Sequence, residues 1–440
     1  MILFYSDRLN QRIEYIARLI FKDILKTDIK FTDQIGEFFD YSSPKINYSP
    51  ERFSNELFIK PNRFLFYKSL VKPVINPVWY NGEKYFFESS EESDLPFDPF
   101  AASFYLVTRY EEYFESDSDR FNRYPADKSI LTDYNLLKKP VVNIWARIVA
   151  EKLKEKFPEL DVPKPVFNYI STIDIDNAWS YAHKGFLRAS GALLRSLLHF
   201  NFYEFFERIL VYCRIIKDPF FTYPFLDEVF EGNKENVIFF FPVGDYSRYD
   251  KNIAWKNKYL QKLMRQTVKK YSVGIHPSFV SEDTLGKGIL PVEISRFRKI
   301  IGKKPEKSRQ HFIRLRVPDT YRNLIDNDIK EDYTMGYASH IGFRAGICTP
   351  YYFYDLNQDC ETSVKVFPFQ IMDVTLRFYL NMEPQKATEA ISKLMKEVKD
   401  AGGTFISIWH NESLTDRGKW KGYKEVFYNM NRTGFEWTNE

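Results

Sequence analysis

The chain has 440 residues, which is long for one ordinary domain and favours two. Its contents of 44% hydrophobic and 28% charged residues are typical of globular proteins and exclude a disordered, collagenous or fibrous chain. The 63 basic and 59 acidic residues leave a net charge of only +4. This balance argues against nucleic acid or an anionic membrane as a partner recognised through overall charge, so any basic patch must be local.

The amino-terminal residues and the cysteines indicate the compartment. Charge enters at Asp7 and Arg8, so the first residues lack the uninterrupted apolar stretch of a secretory signal. No uncharged run in the sequence approaches the length of about 18 residues that a membrane-spanning helix needs. The cysteines, Cys213, Cys348 and Cys360, form no CxxC pair and do not indicate a disulfide framework. We therefore expect a cytoplasmic protein without a transmembrane segment.

The first 160 residues predict a small domain that contains helices and short strands. A helix over residues 8–27 is predicted because apolar side chains recur at steps of three and four, at Leu9, Ile13, Ile16, Ile20 and Ile24. Residues 77–85 resemble a hairpin that turns at Asn-Gly. Asp98 and Pro99 predict the cap and first turn of another helix. We expect an α/β or α+β domain over residues 1–160, of unknown role.

A proline-rich segment separates this domain from the rest of the chain. Residues 157–165, FPELDVPKP, show neither helical nor strand periodicity, so we place the junction there. Apolar, β-rich runs then alternate with helical patterns. The predicted strands are 166–174, 237–243, 272–276, 309–315, 364–369 and 404–409, and the main predicted helices are 187–216, 253–271, 293–301 and 384–399. This alternation predicts a second α/β domain over residues 166–440, with a mainly parallel sheet closed or nearly closed into a barrel.

Two carboxylates follow the first predicted strand of the second domain. Asp174 and Asp176 lie at i and i+2, on the same side of the strand. Like charges so close repel each other unless a cation or a shared proton relieves them. A cap for the next helix is the competing interpretation of this pair.

Histidines stand at or near the ends of three further strands. His276 follows the run that ends at residue 275, His311 shares a face with Arg309, and His410 closes the last run. Catalytic side chains of parallel barrels lie at the carboxyl ends of the strands. Aspartate and histidine are ligands of zinc and of other divalent transition metals, and a shell of few protein ligands leaves room for water.

These residues resemble the polysaccharide deacetylases of the NodB homology type, carbohydrate esterase family 4, over residues 166–415. The resemblance implies a distorted (β/α) barrel of about seven strands. It also implies that Asp174 is the catalytic base and Asp176 a metal ligand, although the family carries adjacent aspartates and Ile175 intervenes here. Which of the two carboxylates has which role therefore stays open. The amino-terminal domain resembles a divergent one of uncharacterised bacterial homologues.

The remaining family motifs are matched in part. His276 begins the second motif, but Val280 stands where the family has another histidine. His311 is the candidate replacement ligand, because an adjacent parallel strand can deliver it to the same point, and Ser278 is a weaker oxygen alternative. His410 corresponds to the histidine that acts as general acid.

Two arginines compete for the role of orienting the base. Arg344, in Gly-Phe-Arg-Ala-Gly, resembles the family's arginine motif, and Arg309 is the alternative. Asp332 and Asp373 could hold Arg344 or His410 in position, or could be helix caps or surface charges.

The resemblance implies hydrolytic removal of N-acetyl groups from a saccharide that carries amino sugars, with a divalent metal. Zinc is the first choice, and cobalt or nickel are alternatives. Two other classes stay open: a glycan-binding barrel that has lost its metal, and a glycosidase that uses Asp174 and Asp176 as its carboxylate pair. Nucleic-acid deamination is excluded because its PCxxC signature is absent from the sequence.

Overall fold

The computed structural model describes residues 1–114, 117–282 and 288–440, and these divide into two compact units. Unit 1 consists of Met1–Asn168, Leu315–Gln370 and Lys393–Phe405. Unit 2 consists of Tyr169–Arg314, Ile371–Ser392 and Ile406–Glu440. Unit 1 therefore includes segments far beyond the predicted junction, and the domain ranges 1–160 and 166–440 stay predictions.

The strands in the described residues have two to eight residues each. They are β1 (Ile2–Tyr5), β2 (Ile29–Thr32), β3 (Lys45–Asn47), β4 (Leu57–Phe58), β5 (Pro77–Tyr80), β6 (Glu83–Phe86), β7 (Phe167–Asp174), β8 (Val237–Phe241), β9 (Ser272–Ile275), β10 (Lys307–Ser308), β11 (Glu331–Asp332), β12 (Tyr351–Asp355), β13 (Cys360–Val366), β14 (Ile371–Met372) and β15 (Gly403–His410).

The α-helices alternate with most of these strands. They are α1 (Gln11–Arg18), α2 (Ile35–Asp40), α3 (Pro99–Val107), α4 (Ile130–Asp133), α5 (Val141–Lys156), α6 (Phe186–Leu198), α7 (Phe202–Tyr212), α8 (Tyr223–Val229), α9 (Lys258–Thr267), α10 (Ile289–Ile301), α11 (Asp319–Asp326), α12 (Pro384–Ala401) and α13 (Tyr423–Thr438). Within the described ranges, no helix combines the length and the apolar character that crossing a bilayer requires.

Unit 1 confirms the local predictions made for the amino-terminal residues. Its first four strands pair in parallel in the order β2-β1-β3-β4. The helix predicted over residues 8–27 is α1 followed by a π-helical turn to Ile24, and the side chain of Asn10 caps it. Asp98 caps α3 by accepting hydrogen bonds from two backbone N–H groups at 3.0 Å. β5 and β6 form the predicted antiparallel hairpin.

Unit 2 is built on parallel strands whose carboxyl ends lie level with one another. Six strands follow in the order β10-β9-β8-β7-β15-β14. Asp174 lies opposite Phe240, and Phe241 lies opposite Ile275, so the segments after β7, β8 and β9 meet at one edge. Gly274 permits this close approach, because an added Cβ would lie 2.8 Å from the carbonyl oxygen of Lys307. The predicted α/β class is confirmed.

Two predicted elements differ from the structure. The strand predicted over residues 309–315 is wrong, because β10 ends at Ser308 and positive φ angles of 60° at Phe312 and 56° at Ile313 turn the backbone away from the extended conformation. The helix predicted over residues 187–216 is two helices, α6 and α7. The break lies at Phe200, whose φ of 53° is left-handed.

Candidate metal centre

The strand β7 delivers two carboxylates to the edge where the parallel strands end. Asp174 is the last residue of β7, and Ile175 continues the pairing by donating a hydrogen bond to the carbonyl of Phe240 at 3.0 Å. The side chain of Asp174 is 2% exposed, whereas that of Asp176, just beyond the strand, is 22% exposed. Asp176 is therefore the carboxylate that solvent or a ligand reaches more easily.

Two imidazoles converge on Asp176. Nε2 of His276, which follows β9, lies 3.2 Å from Oδ1 of Asp176, and Nε2 of His311 lies 3.3 Å from Oδ2. One ligand atom from each of the three residues lies within 4.8 Å of the others, so the group could hold a metal ion. The three candidate ligands thus meet at one point, although His311 stands in a 3-10 turn and not in a strand.

The opposite nitrogen of each imidazole is fixed by an acceptor. Nδ1 of His276 donates to the backbone carbonyl of Arg309 at 2.5 Å, and Nδ1 of His311 donates to Oδ1 of Asp250 at 2.8 Å. Neither a carbonyl nor a carboxylate can donate, so the proton lies on Nδ1 in both rings. In the neutral imidazole, Nε2 then carries the lone pair. Metal-binding histidines use this pattern of outer hydrogen bonds.

A buried carboxylate oxygen of Asp176 without a hydrogen-bond donor among the described residues indicates that a cation fits this site. Oδ1 of Asp176 is buried and accepts no hydrogen bond from any residue in the described parts of the chain. Its neighbour at 3.2 Å is Nε2 of His276, which in the neutral ring is also an acceptor. Two acceptors that face each other without a proton need a positive charge to bind them both. The residues therefore fit a divalent metal ion with oxygen and nitrogen ligands.

The carboxylates around His311 also favour a positive charge at this site. Burial lowers the pKa of His311, but the carboxylates of Asp176 and Asp250 outweigh it and raise the pKa to about 10. Burial likewise opposes the charge of Asp176, yet His311 and then His410 hold its pKa well below the usual range. This arrangement favours positive charge between the carboxylates, whether a proton or a metal ion supplies it.

His410 approaches the same carboxylate from β15. Its Nδ1 pairs with Oδ1 of Asp373 at 2.8 Å, and its backbone N–H donates to Oδ2 of Asp373, also at 2.8 Å. Its Nε2 lies 3.6 Å from Oδ2 of Asp176. Burial lowers the pKa of His410, but Asp373 and Asp176 outweigh it and hold the pKa well above the usual range. Asp373, which the sequence suggested as a holder of His410, has that contact.

Arg309 is the arginine that contacts Asp174. Its Nη1 donates to Oδ1 of Asp174 at 2.9 Å and to the hydroxyl of Thr172 at 2.5 Å. The guanidinium is fully buried, and its carbon lies 4.6 Å from the ring centre of Phe240. Asp174 and Arg309 thus form a buried ion pair next to the candidate ligands, because Nε2 of His276 lies 3.9 Å from Oδ2 of Asp174.

Arg344 has its described partners in unit 1. Its Nε and Nη2 donate to the two carboxylate oxygens of Glu112 at 2.9 and 2.7 Å, and its Nη1 donates to the carbonyl of Gly336 at 3.2 Å. Asp332, also in unit 1, accepts hydrogen bonds from the backbone and the hydroxyl of Thr334. Of the two competing arginines, the structure therefore places Arg309 on Asp174.

Asp250 also belongs to the site through its contact with His311, although no sequence motif indicated it. This residue lies in the loop after β8, where it also accepts hydrogen bonds from the backbone of Phe279 at 2.8 Å and from the hydroxyl of Ser247 at 2.6 Å. Inspection of the segment after every parallel strand would have included it, since β8 ends at Phe241. Ser278, the weaker alternative ligand, donates its backbone N–H to Glu293 of α10.

One family model covers the amino-terminal part of the chain. A family model described as a family of unknown function, DUF7033, matches residues 2–158. No curated protein matches the chain.

Solved structures overlap with part of the chain. A candidate polysaccharide deacetylase from Mycobacterium smegmatis is 14% identical, with a TM-score of 0.39 over 62% of this chain and 89% of that one. A candidate polysaccharide deacetylase of O-antigen biosynthesis from Bordetella bronchiseptica is 11% identical, with a TM-score of 0.30 over 62% and 82%. A mutant of the CE4 family pseudoenzyme BA3943 with restored activity is 10% identical, with a TM-score of 0.30 over 62% and 64%. Overlaps this low do not establish a shared fold.

Proposed function

We propose that the protein is a metal-dependent hydrolase that removes N-acetyl groups from a saccharide carrying amino sugars. The observation that carries the proposal is the pair of imidazoles, His276 and His311, whose Nδ1 atoms are fixed by acceptors and whose Nε2 atoms face Asp176. The resemblance of the sequence motifs to NodB-type deacetylases supports the reaction class, and the barrel of about seven strands belongs to the same proposal.

Asp176, His276 and His311 would hold the metal, with zinc as the first choice and cobalt or nickel as alternatives. A bound divalent ion would supply a Lewis acid that polarises a carbonyl and lowers the pKa of water towards neutrality. The partial exposure of Asp176 leaves the site open to a substrate on one side.

Asp174 is suited to accept a proton from the attacking water. The hydroxyl of Thr172 holds the guanidinium of Arg309 by accepting a hydrogen bond. The guanidinium in turn donates to Oδ1 of Asp174 and fixes this oxygen. The other carboxylate oxygen, Oδ2, lies 3.9 Å from Nε2 of His276, next to the candidate ligands, and would accept the proton. In this assignment Asp174 is the base, and Asp176 is the ligand.

His410 is suited to donate a proton to the departing amine. Asp373 fixes the ring through Nδ1, and its charge raises the pKa of His410 against the lowering effect of burial, which favours the protonated imidazole. Nε2 lies on the side of Asp176. General acid catalysis of this kind contributes about 10²- to 10⁴-fold to a rate. The cytoplasm, expected from the sequence, is the proposed compartment, and residues 1–160 and 166–440 are the proposed domains.

The test combines metal analysis with an assay on N-acetylated saccharides. The purified protein is expected to contain one equivalent of metal and to release acetate from chitin oligosaccharides in a chelator-sensitive, zinc-restored reaction. Asp176→Ala and His276→Ala are expected to lose the metal. His410→Ala is expected to keep the metal and to lose about 10²-fold or more in kcat. His199→Ala, which changes an exposed histidine of unit 2, is the matched control.

Each outcome separates the competing classes. Full metal content in both ligand variants would contradict the ligand assignment. A wild-type protein that binds saccharides without metal or turnover would favour the glycan-binding alternative. Cleavage of glycosidic bonds that survives a chelator would favour the glycosidase that uses paired carboxylates.

A further inference from the structure

The helices α6 and α7 form a hairpin in unit 2 whose outer surface is apolar. In α6, the side chains of Leu187, Leu194 and Leu198 are 87%, 58% and 68% exposed, and their spacing places them along one stripe of the helix. The turn exposes 80% of Phe200. In α7, Phe202, Tyr203, Phe206 and Leu210 are exposed. Large apolar side chains grouped in this way mark an interaction surface.

Few side chains of the two helices are buried. Ser196 of α6 and both Glu207 and Val211 of α7 are buried, whereas the apolar stripe has no covering element in the described residues. The side chain of Asn201 caps α7 by accepting a hydrogen bond from the backbone of Glu204. A local cap thus starts the second helix of the hairpin, and large apolar side chains of both helices are exposed.

The hairpin is also strongly basic. Between residues 184 and 217 the sequence has six basic and two acidic residues. Glu204 pairs with Arg208 of the same helix at 2.5 Å, and Glu207 pairs with Arg417 from outside the hairpin. The basic residues Arg195, Arg214 and Lys217 are exposed. This is the local basic patch that the balanced charge of the whole chain leaves room for.

We infer that the α6–α7 hairpin docks onto an anionic membrane surface. A helix of 13 residues is about 20 Å long and cannot cross a hydrocarbon core of about 30 Å, so the helices would lie in the interface. Apolar and aromatic side chains beside Lys and Arg are typical of helices that bind there. A second copy of the chain is the less favourable partner, because two equally basic surfaces repel each other.

Docking would hold the candidate metal centre close to the lipid. The hairpin follows the segment that contains Asp176, and Glu207 of α7 pairs with Arg417, seven positions after His410. In addition, the side-chain amide of Asn411 donates to the carbonyl of Asn177 at 3.0 Å. The hairpin is therefore linked to the segment after β15 through Glu207 and Arg417, and to the segment after β7 by chain continuity. This inference does not depend on the hydrolase proposal, since it concerns binding alone.

The experiment measures binding of the full-length protein to vesicles by co-sedimentation. Vesicles of phosphatidylcholine with phosphatidylglycerol are compared with vesicles of phosphatidylcholine alone, and we expect binding that requires the anionic lipid and weakens with salt. Neutralising Arg195, Arg214 and Lys217 to Gln together is expected to weaken binding about a hundredfold, since each charge near the surface contributes about fivefold. Leu194→Ser, Leu198→Ser and Phe200→Ser together are expected to abolish measurable binding.

A matched control changes exposed apolar residues elsewhere. Val74→Ser with Trp79→Ser removes side chains that are 87% and 64% exposed in unit 1, and this variant is expected to bind vesicles like the wild type. Circular dichroism and thermal unfolding verify that all variants are folded. Equal binding of the hairpin variants and the wild type, or no preference of the wild type for anionic vesicles, would overturn the inference. Self-association that the hairpin substitutions abolish, without vesicle binding, would assign the surface to a second copy and would also overturn it.

Discussion

Asp250 offers a sharp test of the metal centre, because it touches a candidate ligand without being one. Its Oδ1 accepts hydrogen bonds from Nδ1 of His311 and from the backbone of Phe279, both at 2.8 Å, and its Oδ2 accepts the hydroxyl of Ser247 at 2.6 Å. We predict that Asp250→Asn and Asp250→Ala both weaken metal binding, and that Ala does so more.

The magnitude follows from what each substitution leaves behind. In Asp250→Asn the amide oxygen can stay at the Oδ1 position, where both neighbours are N–H donors, and the amide NH₂ can face the hydroxyl of Ser247, which can accept. His311 then keeps its proton on Nδ1 and loses only the charge of its partner. Removal of such outer-shell partners weakens metal binding about 10- to 100-fold. We expect about tenfold for Asn, or about 1.4 kcal/mol, and about a hundredfold for Ala.

The assay is competition for zinc between the protein and a chromophoric chelator at neutral pH. Asp245→Asn is the matched control, because it removes the same charge from the same loop but from a side chain that is 79% exposed and pairs with Arg296. Equal zinc affinity in the wild type and in both Asp250 variants would refute the claim that His311 is a ligand. An equal loss in Asp245→Asn would show that the effect is long-range charge and not orientation of the imidazole.

Two further predictions concern stability. Burial raises the pKa of Glu293 to about 7, against the lowering effect of its hydrogen bonds to Ser278. The protonated side chain therefore stabilises the folded state fully below pH 4.5, the pKa taken for the unfolded chain, and this stabilisation is lost as the pH rises through 7. Urea unfolding should show that the wild type loses about 3 kcal/mol over this range relative to Glu293→Gln; identical pH profiles would contradict the assignment. Arg344→Met should lower the unfolding free energy by about 3 kcal/mol, because Glu112 is buried and keeps only Arg109 as a strong partner, and unchanged stability would show that the pair is dispensable.

The sequence predicted residues at the ends of strands better than the strands themselves. Asp176 and His276 follow clear apolar runs, and the level ends of β7 and β9 bring them together. The prediction of His311 as a ligand assumes a strand over 309–315, whereas the structure has a 3-10 turn over His311–Ile313. The backbone of Arg309 nevertheless donates to the carbonyl of Ile275 at 3.1 Å, so the segment still runs beside β9 far enough to deliver His311.

Other features depend on contacts that local periodicity does not encode. Asp250 lies in a loop without helical or strand pattern, and its role is set by His311, 61 positions away in the sequence. The apolar residues of 187–216 correctly indicate helical structure, although it is divided into two helices, and apolar side chains in such a pattern are expected to face a core. The left-handed turn at Phe200 folds the segment back, and the leucines of α6 face outwards.

The two arginines explain why a short motif can suggest the wrong partner. Arg309 and Arg344 are both fully buried, and a buried guanidinium needs a carboxylate whatever its role. The glycines that make the segment around Arg344 resemble a catalytic motif have a structural reason in unit 1. Gly342 has a φ of 124°, and an added Cβ would overlap the carbonyl of Leu137, while Gly346 has a φ of 65°. Backbone geometry accounts for the two glycines of this Gly-Phe-Arg-Ala-Gly pattern. Among the hydrogen bonds of the described residues, the one from Arg309 to Asp174 relates an arginine to the proposed chemistry.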